Sequence, residues 1–174
     1  MLVHSKLLAF VAIVSSFPGA VKLAAQAQAK DACSLLRPDE VRALAPSGSV
    51  DNPVSTTDSL GSVVCTYRWS TGKTTASGRH DFQIVNGDPS RMFPAMSEAQ
   101  IKEALLRPAK QNQGDASLVS GIGDAALFKS DSPTKSDVTA FIKGRILTLS
   151  VDAPDARSRK DQLVALLKLA SDRL

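Results

Sequence analysis

The chain has 174 residues, 43% hydrophobic and 22% charged, with a formal net charge of +4 and two cysteines. That length supports one domain with its own core. The positive charge is mild and dispersed, unlike the clustered basic face, interleaved with aromatics, that nucleic-acid binding demands.

The first 29 residues read as a signal peptide. His4 and Lys6 precede the apolar run Leu7–Phe17, LLAFVAIVSSF, which falls short of the about 20 residues a spanning helix requires. Pro18 and Gly19 break that run, and AQA at Ala25–Ala27 and again at Ala27–Ala29 offers cleavage sites. Removal of the leader takes away Lys6 and Lys22 and no acid, so the net charge falls from +4 to +2. The expectation is a single domain over 30–174, periplasmic or secreted, with no membrane span once the leader is gone.

Leu35, Leu36, Val41 and Leu44 space as one face of a short helix, with Pro38 in its first turn and Pro46 at its stop. Ser62–Trp69, SVVCTYRW, alternates as a strand that places Val63, Cys65, Tyr67 and Trp69 on one side. A polar loop, Ser70–Gly78, leads to a second strand, His80–Asn86. Ser97 with Gln100 forms a capping box ahead of a helix lined by Ile101, Ala104, Leu105 and Ala109, its end distorted by Pro108. Strand signals resume at Leu118, pause at SGIGD and continue through Ala125–Phe128; Asp137–Val151 reads as a hairpin turning at Lys143–Gly144. A last helix is expected from about Asp155, with a stripe of Leu163, Leu166, Leu167, Ala170 and Leu174 and a possible i,i+4 pair between Arg157 and Asp161. The element order implies an α+β fold: an antiparallel sheet of about five or six strands, packed by two or three helices on one side.

Four chemistries are open to the cysteines in principle. Lys30 and Asp31 precede Cys33, so no lipid-attachment box is present. His80 is the one histidine beyond the leader, too little for a zinc site and the single basic partner for a thiol nucleophile. An even count in an exported chain favours a Cys33–Cys65 disulfide, with free buried thiols as the alternative.

Gly121, Gly123 and Ala126 have the G-x-G-x-x-A spacing of dinucleotide sites, but that chemistry needs a helix next, and turn formers around Pro133 follow instead. No cofactor is implied. His80 beside Asp81 suggests an exported hydrolase with a carboxylate or serine partner, although no G-x-S-x-G elbow occurs. Gln83–Gly87, QIVNG, matches the Q-x-V-x-G loop of cystatin-like protease inhibitors, without that family's N-terminal glycine or Pro-Trp pair. Arg68, Lys73, Arg79 and His80 surround the Ser70–Gly78 loop and are the candidate anion-binding set.

DACSLLRPDEVRAL, a later VVCTYRW, then VSGIGDAALF, a hairpin and a closing helix together resemble a set of small exported bacterial domains of unknown function. These open on a C-S-L-L-T-x-x-E-V-like segment and look related to the PsbP-like fold. Arg37 stands where threonine is usual. The resemblance implies Cys33–Cys65 bonding and an envelope location, and it hands over no catalytic residues. The leading reading is a non-catalytic accessory domain that binds an envelope protein or a small ligand.

Overall fold

The computed structural model describes residues 31–45, 49–70 and 79–174. The proposed signal peptide, Lys73 and the helix stop at Pro46 lie outside the described residues.

Seven strands form one antiparallel sheet in the order β1-β2-β3-β7-β6-β5-β4. They are β1 (Val54–Thr57), β2 (Val63–Ser70), β3 (Arg79–Gly87), β4 (Ser117–Leu118), β5 (Ala125–Ser132), β6 (Lys135–Ile142) and β7 (Arg145–Asp152). Two meanders, β1–β3 and β4–β7, are joined where β3 pairs with β7. The β6–β7 turn falls at Lys143 and Gly144, with φ of 50° and 72°. Two consecutive positive φ values match the right-handed twist of the flanking strands.

Alternation decides which side each residue serves. Cys65, Tyr67 and Trp69 of β2 lie opposite Ile84, Phe82 and His80 of β3, and Leu147, Leu149 and Val151 of β7 continue the same side. This is the closed face. It is covered by α4 (Lys160–Arg173), through Leu163, Leu166, Leu167 and Ala170, and by the N-terminal segment with Leu35, Leu36, Val41 and Leu44. Burial of each such side chain contributes about 1.5–3 kcal/mol.

The N-terminal cover is tied down repeatedly. Cys33 and Cys65 form a disulfide, with Cα atoms 5.0 Å apart. The Tyr67 hydroxyl donates to the Leu36 carbonyl. Arg173, at the end of α4, grips both oxygens of Glu40 at 2.6 Å each and donates to the Leu35 carbonyl at 3.0 Å. Buried Arg159 donates to the Leu44 carbonyl and grips Asp155.

The fold class is the expected α+β, with three differences. The additional strand is β1, whose four residues are all exposed and so lack the apolar alternation that reveals a half-buried strand. The expected opening helix is split into a 3₁₀ turn (Ala32–Ser34), a single α-turn, α1 (Pro38–Val41), and another 3₁₀ turn (Arg42–Leu44). The helices also do not share one side. The crossover from β3 to β4, made of α2 (Pro89–Met92) and α3 (Glu98–Lys110), passes over the other face, where Ile101 packs with Ala125, Phe141 and Ile146.

The capping box at Ser97 and Gln100 forms as expected. At the other end of the chain, a 3₁₀ turn (Ala156–Arg159) precedes α4, so the last helix begins later than its sequence suggests. In that turn Arg157 pairs with Asp115.

Gly121 and Gly123 have φ of 77° and 58°. A side chain on Gly123 would collide with the Phe141 carbonyl. The segment leads into β5, not a helix, so these glycines serve a tight strand entry.

Candidate functional site

The second face of the sheet is open over much of its width, and strand register orders its side chains into four rungs. At the rim, Arg68, Asp81, Asp152 and Lys135 run side by side across β2, β3, β7 and β6. The next rung is Thr66, Gln83, Ser150, Asp137 and Lys129. The third is Val64, Val85, Thr148, Thr139 and Leu127. The fourth, Gly87, Ile146, Phe141 and Ala125, lies under the crossover helices. Charged side chains are confined to the first two rungs and the fourth is apolar, so polarity falls along the strands.

Between the crossover helices and the third and fourth rungs lies a cavity of about 330 Å³. Its walls are Met92, Phe93, Met96, Ile101 and Leu105. Apart from Met1, these are the only methionines of the chain; their unbranched, polarisable side chains adapt to differently shaped guests. The floor includes Ile146 and two threonines, Thr139 and Thr148, whose hydroxyls are 3.0 Å apart. Those threonines are where the cavity meets the polar rungs.

Two carboxyls on this face titrate above the usual aspartate range. Burial raises Asp81 first, then the neighbouring charge of Asp152, against the opposing pull of Arg68, Lys135 and His80. Asp137 is raised by burial and then by Asp131, opposed by Lys129 and Lys135. Desolvation penalises the charged form in both cases.

Strand register places Arg68 and His80 of the candidate anion set on opposite faces. Arg68 is exposed on the open face, whereas His80, one residue before Asp81, points to the closed face. His80 is 7% exposed and its ring centroid lies 5.8 Å from that of Trp69. Arg79 opens β3 opposite Ser70, and Lys73 lies outside the described residues. Alternation along β3 thus separates two members that adjacency in sequence brings together.

His80 is buried beside the Trp69 indole and, among the described residues, faces the closed side of the sheet. Gln83–Gly87 is the second half of β3, with Gln83–Asn86 paired to β2 on one side and β7 on the other and Gly87 paired to β7, so it lies in the sheet and not at a hairpin tip as a cystatin-like wedge would. The pair that sequence spacing did not reveal is Asp81 with Asp152, adjacent across two strands far apart in the chain. Asp152 is exposed at the rim of the open sheet. Among the described residues, no group of three or more His, Cys, Asp or Glu is placed to hold a metal ion, and no helix is long and apolar enough to cross a membrane.

Comparison of the chain with protein-family models, with curated proteins and with solved structures finds no match.

Proposed function

We propose that the protein is an exported, non-catalytic binding domain whose ligand is a small amphiphile held on the open face. The observation that carries this reading is the apolar cavity of about 330 Å³ that opens onto a graded polar surface. Pockets for small molecules begin near this size, about 300 Å³, and combine apolar walls with a few polar groups. An apolar tail fits between Met92, Met96 and Ile146, and a polar head fits over Thr139, Thr148 and the rung beyond them.

Export is supported by the apolar leader in the sequence and by the Cys33–Cys65 disulfide, since such bonds persist in oxidising compartments. The disulfide and the arginine clasps also close the opposite face, so binding on the open face need not disturb the main core.

Isothermal titration with octan-1-ol tests the reading. Saturable binding that Ala104→Trp weakens tenfold or more is expected, because the indole occupies the cavity from α3. Absence of binding, or binding indifferent to that substitution, overturns it. A thermal melt of the variant checks that it is folded.

A further inference from the structure

The first polar rung beyond the cavity holds a carboxylate that forms no ion pair among the described residues. Asp137 lies two residues before Thr139 on β6, hence on the same side and about 7 Å further along the strand. Its neighbours across the sheet are Lys129 of β5 and Ser150 of β7. Lys129 is turned to Asp131, with which it forms an ion pair. Among the described residues no cation forms an ion pair with Asp137, although the residue is half-buried. A desolvated carboxylate left this way favours a cation brought from outside.

We infer that the amphiphile's head group is an alkyl ammonium and that Asp137 receives it while the tail occupies the cavity. This rests on the amphiphile reading above and deepens it. Ser150 and Gln83, in the same rung, supply neutral hydrogen-bonding groups beside the head, and Thr139 and Thr148 lie between head and tail. An anionic head in this position meets the Asp137 charge, and a neutral one leaves that charge uncompensated.

The charges facing Asp137 are Lys129 and Asp131 from β5 and Lys135 from its own strand. The ammonium binds the ionised carboxylate, and burial holds the Asp137 carboxyl above the ordinary aspartate value of 3.8. Affinity for an alkyl ammonium therefore falls as pH is lowered through that raised value, while affinity for the matching alcohol stays level.

The experiment is titration of the unaltered chain with octylamine, octan-1-ol and octanoate, repeated with Asp137→Asn and at falling pH. Octylamine is expected to bind about tenfold more tightly than octan-1-ol, the scale of one charge-assisted hydrogen bond, with octanoate weakest. Asp137→Asn should abolish that preference. Equal affinities of octylamine and octan-1-ol, both sensitive to Ala104→Trp, would overturn the ammonium assignment and keep the amphiphile site. Binding of none of the three overturns both. The comparison on the unaltered chain and its pH dependence decide the matter even if Asp137→Asn does not fold.

Discussion

The two faces of the sheet share every strand and yet differ in almost every physical respect. One is mainly apolar, crosslinked by Cys33–Cys65 and gripped by Arg159 and Arg173. The other passes from an apolar patch under α3 to a row of charges at the rim within four rungs. The contrast teaches that one sheet can bury its main core on one side and leave the other to polar, partly exposed groups. Residues that alternate along a single strand, such as Phe82 and Gln83, therefore meet different surroundings.

Substitutions that test this separation should rank accordingly. Phe82→Ala removes a fully buried ring that sits 5.9 Å from Tyr67. It should cost about 3–5 kcal/mol in urea unfolding; a loss below 1 kcal/mol would mean that the closed face is not the main core. Replacing both cysteines by serine opens a crosslink spanning a sequence separation of 32. The expected loss is about 3–4 kcal/mol by loop entropy, measured against the oxidised protein.

A smaller and pH-dependent effect comes from Glu40. Arg173 holds its carboxyl down, from 4.5 to about 2, through a paired hydrogen bond, and the Arg37 amide and both guanidinium charges assist. A depressed carboxyl stabilises the fold fully above its unfolded value near 4.5, and that contribution disappears as pH falls towards 2. Glu40→Gln should cost about 1–2 kcal/mol at neutral pH and flatten the stability profile over that acidic interval. A profile unchanged by the substitution would show that the clasp between the chain's two ends contributes nothing.

The smallest effect is expected on the open face. Gln83→Ala, half-buried in the second rung, should stay within about 0.5 kcal/mol of the parent. A loss comparable with that of Phe82→Ala would abolish the distinction between the faces.

Much of the architecture was legible before any coordinates. The SVVCTYRW alternation, the Ser97 capping box and the Lys143–Gly144 turn are local signals, each contained within a few residues, and all three form. What escaped was β1, whose exposed residues carry no burial pattern, and the side taken by α3. A stripe of Ile101, Ala104 and Leu105 declares that a helix has an apolar side without saying which face of a sheet receives it. The ion pairing of Arg157 with Asp115 was hidden for a related reason, because a 3₁₀ turn replaced the helical spacing that pointed to Asp161.

By itself, the amino-acid order determined six of the seven strands and the two longer helices, the α+β class and the pair of cysteines available for one crosslink, because hydrophobic period and turn chemistry act over short stretches. Only the tertiary structure decided that Arg68 and His80 part company, that Asp81 meets Asp152, and that Asp137 stands beside a methionine-lined cavity. Those neighbours are set by the register of strands far apart in the chain, and register is a property of the assembled sheet.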